Sequence, residues 1–179
     1  MSTLRWQCAS LQDLSAATLY AALKLRSEVF VLEQRCFYLD PDGLDLQAWQ
    51  VLGFDLQTGA LLACARLLPP WTKGEQQAAP MIGRVAVAAS ARGTGQGRAL
   101  VRFALQQCEQ RWPGEAIELS AQAHLQHFYA SLGFVPISDI YDEDGIPHIN
   151  MRCLPLPSRA DSSAPDLANS RSIPDREQP

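Results

Sequence analysis

The residues with the most chemical content lie together at Arg92-Gly93-Thr94-Gly95-Gln96-Gly97-Arg98. Three glycines at alternate positions let backbone N–H groups approach a ligand with no Cβ in the way. A helical pattern follows, with Leu100, Phe103, Ala104 and Cys108 on one face. The first turn of such a helix carries unpaired N–H groups and the positive end of the helix dipole. Loop and helix together therefore suit a phosphate or pyrophosphate, and Arg92 and Arg98 add charge. Several readings of the loop compete. A Walker A loop requires G-x-x-x-x-G-K-[ST], and the Lys and hydroxyl pair is missing. A dinucleotide fingerprint requires G-x-G-x-x-G. Gly93 and Gly95 fit, Arg98 replaces the third glycine, and Glu118 imitates the ribose-binding acid about 20 residues on. The pattern [RQ]-x-x-G-x-[GA] is met by Arg92, Gly95 and Gly97. The plain alternative is a tight turn.

Other polar groups stand out by type. Asp40, Asp42 and Asp45 form an acidic run, suited to attracting a cation or to solvated Asx turns. His124 and His148 carry the imidazoles that titrate near neutrality. Cys8, Cys36, Cys64, Cys108 and Cys153 are widely spread, with no C-x-x-C pair. That spacing argues against a zinc or redox site and for reduced, buried thiols of a cytoplasmic protein.

The elements that must position these groups can be read along the chain. Leu4 to Ala9 predicts a strand, and Asp13 or Ser15 caps a helix running to about Leu32. Glu33 to Gln47 reads as a loop. Gln50–Asp55 and Ala60–Leu68 form a hairpin around Thr58-Gly59, and Met81–Val87 is a strand. A helix over Gly95–Arg111, a strand over Ala116–Ser120 and a short helix over Ala123–Leu132 follow, the last ended by Gly133. Phe134–Ser138 and His148–Leu154 close the domain around an Asp-rich turn. The order β-α-β-β-β-α-β-α-β-β describes a mixed α/β fold. Its antiparallel first half and single βαβ unit do not suit a dinucleotide-binding fold.

The 179 residues suggest one domain, 1–154, and a polar, disordered tail over 155–179 rich in Pro, Ser, Asp and Arg. A net charge of −4 gives no footprint for nucleic acid. No apolar run reaches the roughly 18 residues that span a bilayer, and the first residues do not read as a signal peptide. The expected protein is cytoplasmic, with no nucleic-acid or membrane partner, and a homodimer is compatible with the sequence.

Val85-Ala86-Val87, Arg92-x-x-Gly95-x-Gly97 and Tyr129-x-x-x-Gly133-Phe134 stand in the order and spacing of the GNAT acetyltransferases. The chain resembles that family from Leu4 to about Leu154. Arg26-x-x-Val29-Phe30-x-x-Glu33-Gln34, Gln122-Ala123-His124-Leu125-Gln126 and Asp142-Glu143-Asp144-Gly145-Ile146-Pro147-His148 resemble its ElaA-type subfamily.

The resemblance implies the GNAT acyl-CoA N-acyltransferase fold: a mixed six- to seven-stranded sheet with splayed central strands flanked by helices. It implies acetyl-CoA as co-substrate, no metal, and a small-molecule or protein amine as acceptor. The backbone of Val85, Ala86 and Val87 would pair with pantetheine. Arg92, Gly93, Thr94, Gly95, Gln96, Gly97 and Arg98 would hold the pyrophosphate. Gln122 stands where many members have Asn, and Gln50 stands near a His of ElaA-type chains.

Tyr129 matches the family's acid for the leaving thiolate. Glu33 is the candidate base, acting through water or by holding a cationic amine. Arg26, Gln34, Asp45, Glu118, His124 and His148 are the candidate substrate-side residues. The rival readings are a catalytically idle CoA-binding sensor, an acyl-homoserine-lactone-synthase-like enzyme using S-adenosylmethionine, and a non-enzymatic interaction protein.

Overall fold

The computed structural model describes residues 4–155. The polar tail expected over 155–179 lies, from 156 onward, outside the described residues. Strand β1 (Leu4–Ser10) is followed by helix α1 (Ala16–Arg26), whose last turns continue as a π-helical segment, Ser27–Glu33. Ser15 caps α1, its Oγ accepting from the Thr18 amide at 3.1 Å. Strands β2 (Trp49–Asp55), β3 (Leu61–Leu68) and β4 (Met81–Val87) form an antiparallel meander with β1. Helix α2 (Gln96–Arg111) crosses over to β5 (Ile117–Gln122), which runs parallel to β4. The short α3 (Gln126–Ala130), β6 (Phe134–Pro136), β7 (Tyr141–Glu143) and β8 (Ile146–Cys153) complete the chain.

The sheet has eight strands in the order β1-β2-β3-β4-β5-β8-β6, with β7 paired to β8. This corrects the expected six to seven. The Asp-rich turn contains β7, a three-residue strand with two acidic residues and hence no strand signature. Asp144 (φ 54°) and Gly145 (φ 80°) make its tight turn into β8, where two left-handed residues match the strand twist.

The sheet buries both faces over its first half. Leu52, Cys64 and Ala86 face Ala22 and Leu25 of α1 and Val29 and Phe30 of the π segment. Val51, Ala63, Ala65 and Ile82 face Leu100, Val101, Ala104 and Cys108 of α2. Each fully buried Leu or Val here contributes about 1.5–3 kcal/mol. Burial pushes the Cys108 thiol up to about 12, so it packs as an apolar residue.

Over β5 and β8 only one face is covered by helices. Ile117, Leu119, Ala121, Ile149 and Met151 point into the core. The alternate residues Glu118, Ser120, Gln122, His148, Asn150 and Arg152 line the opposite, polar face.

Two features open the sheet at its centre. Pairing of β3 with β4 shifts between Cys64/Arg66, giving β4 an extra residue where Arg84 takes φ 51°. Strands β4 and β5 share one paired position, Met81↔Glu118, and then part.

The acidic run buries Asp40 and Asp45, while the more exposed Asp42 makes an Asx turn, its Oδ1 accepting from the Leu44 amide at 3.0 Å. The carboxylates of the run fold inward onto three arginines. Arg26 donates to Asp40 Oδ2 at 2.8 Å and to Asp45 at 2.8 and 3.1 Å. Arg66 grips Asp42 with two parallel bonds of 2.7 and 2.8 Å, and Arg84 donates to Asp40 and Asp42 at 2.8 and 3.1 Å. Gln50 donates to Asp45 at 3.1 Å. Three positive and three negative charges thus neutralise one another and pin the 34–47 loop to β3 and β4.

Burial raises the Asp42 carboxyl, but the Arg66 bonds, the Leu44 amide and the charge of Arg84 outweigh it and hold it at about 2. A carboxyl lowered on folding stabilises above its unfolded value and loses that contribution as pH falls through its folded value. Discounted for solvent screening at this exposed residue, the interval from 3.8 to about 2 is worth about 1 kcal/mol at neutral pH. Asp42→Asn is therefore expected to lose about that much stability in urea titrations at pH 7, with the difference from wild type vanishing near pH 2. A difference constant from pH 7 to pH 2 would remove Asp42 from the acid response.

Candidate active site

The parting of β4 and β5 creates a cleft of ≈ 260 Å³. Its walls are Gly83, Arg84 and Val85 on β4, and Leu119 to Gln122 on β5. Phe30, Gln34, Cys36 and Tyr38 close one side, and Tyr129, Ile146 and His148 another. The Ala88 amide donates to Leu62 O at 2.8 Å, so alternate residues of β4 bond towards β3. By the same alternation the backbone groups of Val85 and Val87 point away from β3, Val85 lining the cleft and the Val87 carbonyl accepting from Arg92. Ala86 differs: its backbone turns to β3 and its side chain lies under α1.

The glycine loop stands at the end of β4. Gly93 and Gly95 adopt φ of 75° and 85°, which other residues take up only with strain. A Cβ at either would meet no atom within 4 Å, so the outer side of the loop is open. Gly95 is the N-cap of α2. Thr94 Oγ1 donates to Ala91 O at 2.7 Å and braces the turn. Gln96 is buried at the helix start. Gly97 lies between Val87 and Phe128, whose nearest atoms would be 3.9 and 3.8 Å from an added Cβ.

The two arginines of the loop brace the protein itself. Arg92 Nε donates to Val87 O at 2.9 Å and its Nη2 pairs with Glu33 at 2.6 Å. Arg98 donates to Ser131 O at 3.3 Å, at the end of α3.

Tyr129 is 6% exposed and lines the cleft. Its ring packs edge-on against Phe128 and Phe134, at 5.0 and 5.9 Å between centroids. Burial pushes its hydroxyl up to about 12, so the phenol keeps its proton at any working pH.

The structure distributes the remaining sequence candidates unevenly. Gln122 and Gln34 meet across the cleft mouth, with Gln122 Nε2 donating to Gln34 Oε1 at 3.0 Å. His148 lines the cleft. Its Nδ1 donates to Ile146 O at 2.9 Å, which orients the ring. Glu118 lies on the polar face, held by Arg152 at 2.6 and 2.9 Å.

Four expectations change. Glu33 does not line the cleft; its carboxylate clamps the glycine loop through Arg92. Arg26 is 2% exposed with its donors taken by Asp40 and Asp45, so Arg26 and Asp45 are framework rather than substrate contacts. His124 is exposed and outside the cleft. Ser120, Tyr141, Glu143 and Asn150 were missed, although strand alternation from Glu118 and Gln122 places Ser120 on their face. Tyr141 gave no signal because β7 itself gave none, and Glu143 stood in the Asp142-to-His148 motif with no role attached.

A sheet splayed at its centre, a glycine loop leading into a helix, and a tyrosine at the splay together define a GNAT-type acyltransferase. The family described as "Acetyltransferase (GNAT) domain" matches residues 72–155. Protein ElaA of Escherichia coli (strain K12) is 44% identical over 151 residues, covering 83% of this chain and 95% of that protein. A crystal structure described as an acyl-CoA N-acyltransferase from Pseudomonas aeruginosa superposes with TM-score 0.77 at 45% identity, covering 84% of this chain and 99% of that one. The crystal structure of Escherichia coli ElaA gives TM-score 0.76 at 42% identity, with 84% and 99% covered. The chain belongs to the GNAT acyl-CoA N-acyltransferase family, in its ElaA-like branch. Among the described residues no helix is long and apolar enough to cross a membrane.

Proposed function

We propose that the protein transfers an acetyl group from acetyl-CoA to a primary amine by direct attack in one ternary complex. The observation that carries this reading is the unbridged edge of β4. That edge lines one cleft with the phenol of Tyr129 over Met81 to Val85, and the glycine loop follows at the end of the same strand. The fit to the donor is chemical. Amides at the start of α2 suit a pyrophosphate, and the backbone of Val85 and Val87 suits an extended amide-bearing arm. Bound acetyl-CoA supplies the activated thioester.

Direct attack is favoured by the state of the thiols: Cys36 lines the cleft, but burial raises its thiol and its Sγ is directed at Gln34 O at 3.9 Å. Cys64 and Cys108 are sealed in the core and held protonated, with burial pushing both up to about 12. Neither serves as an acyl carrier.

Tyr129 is the proposed acid. Burial keeps its phenol protonated, so it can donate to sulfur as the carbon–sulfur bond breaks.

The test is calorimetry with acetyl-CoA on wild type and Gly97→Val. Wild type is expected to bind, and acetyl-CoA at about a hundredfold excess over Kd to raise folded stability by about 2.7 kcal/mol. In Gly97→Val the added methyls enter the gap between Val87 and Phe128, and affinity is expected to fall at least tenfold, about 1.4 kcal/mol. Absence of wild-type binding would overturn the reading. Binding without thiol release on any amine would describe a CoA-binding protein without catalysis.

A further inference from the structure

A second cavity, of ≈ 330 Å³, lies at the end of the splay away from the glycine loop, lined by Met81, Glu118, Ser120, Tyr141, Glu143 and Asn150. Ser120 and Glu143 also line the first cleft, so they stand where the two spaces meet. Four short contacts join this group. Ser120 Oγ lies 2.6 Å from the Tyr141 hydroxyl and 3.1 Å from Glu143 Oε2. The Tyr141 hydroxyl lies 2.8 Å from Asn150 Oδ1 and 3.3 Å from Glu143 Oε2.

Proton counting makes this group informative. Two hydroxyls own one proton each, while the other two members, Asn150 Oδ1 and the Glu143 carboxylate, present only acceptors. Two protons serve four contacts, so the group is short of donors. An ammonium group brings N–H donors and a positive charge; a carboxylate or phosphate would bring further acceptors and negative charge. The carboxylate in direct contact with both hydroxyls favours the cation. Glu118 of β5 is already paired with Arg152 of β8. Asp144 adds negative charge from the turn after β7. Lys73, in the loop before β4, lines both cavities and adds one positive charge, and His148 of β8 directs its Nδ1 at Ile146 O.

We infer that Ser120, Tyr141 and Glu143 form the acceptor site of the enzyme, that the acceptor is a cationic primary amine, and that Glu143 is the base. This rests on the acyltransferase reading above. The amine docks as its ammonium and yields a proton to solvent. As the neutral amine forms its bond to the acyl carbon, the carbon–sulfur bond breaks. One N–H proton passes to Ser120 Oγ while the Ser120 proton passes to Glu143. The sulfur takes the Tyr129 proton, and Glu143 and Tyr129 then exchange with solvent. The products are the amide and free CoA thiol.

The experiment measures thiol release from acetyl-CoA with butylamine and with β-alanine, whose carboxylate the site disfavours. Wild type, Glu143→Gln and Ser120→Ala are compared from pH 7 to 10, with acetyl-CoA affinity from calorimetry. Wild type is expected to favour butylamine. Glu143→Gln is expected to lose roughly 10²–10⁴-fold in kcat/KM for butylamine at pH 7, with acetyl-CoA affinity unchanged. The deficit narrows as pH rises, because hydroxide replaces the lost base. A merely structural defect would hold it constant. Ser120→Ala keeps the carboxylate and is expected to show the same narrowing, which guards against a misfolded Glu143→Gln. A Glu143→Gln rate equal to wild type at every pH overturns the inference. So does a wild type that binds acetyl-CoA yet transfers to β-alanine alone or to neither amine. Failure to bind acetyl-CoA at all marks failure of the acyltransferase reading instead.

Discussion

Tyr129→Phe is expected to lower kcat by roughly 10²–10⁴-fold, about 3–5 kcal/mol of barrier, with acetyl-CoA affinity nearly intact. The phenol acts as sulfur gains charge, so its loss falls on the transition state. The remaining ring keeps the edge-on contacts with Phe128 and Phe134, and no described residue bonds the hydroxyl that is removed. Stability should change little, since the hydroxyl faces the cleft rather than the sealed core. The measurement is kcat at saturating amine and at a pH where the amine is largely neutral, beside a urea titration. An unchanged kcat with chemistry rate-limiting would return Tyr129 to a packing role.

Arg26→Met is expected to cost about 3 kcal/mol of stability, at the lower end of the range for breaking a buried ion pair. Met fills much of the space, but the Asp40 and Asp45 carboxylates lose their principal donors in a buried setting. Arg84 still reaches Asp40, and Arg66 and Gln50 still reach Asp45, which keeps the loss from being larger. For a domain of this size the cost appears as roughly 6–12 °C in Tm. Adding Asp45→Leu should recover part of it, because the uncompensated charge is removed along with its partner. If Arg26→Met melts with wild type, the network is not structural, and Arg26 becomes available again as a substrate contact.

Both predictions concern residues that the sequence singled out, with different outcomes. Tyr129 was legible because its motif fixes its place: Gly133 ends the helix in a left-handed turn (φ 97°), and the tyrosine four residues earlier is carried to the splay. The glycine loop was legible for the same kind of reason. Positive φ at Gly93 and Gly95, followed by an apolar helical stripe, is a local requirement written in local residue types. Helix and strand periodicity likewise placed the core and the single crossover.

What tertiary structure decided was the pairing of charges. Arg26 and Asp45 are 19 residues apart, Arg84 and Asp40 are 44, and nothing in their spacing states that they meet. The acidic run looked like a solvated loop because its partners lie on α1, β3 and β4. The same holds for Glu33, whose carboxylate is claimed by Arg92, and for Gln34 and Gln122, 88 residues apart across the cleft mouth. The polar face of Ser120, Tyr141 and Glu143 forms only when β7 folds back on β8. A charge takes its function from the nearest charge or bonded proton in space. Sequence fixes which backbone shapes are cheap, and the fold alone fixes that distance.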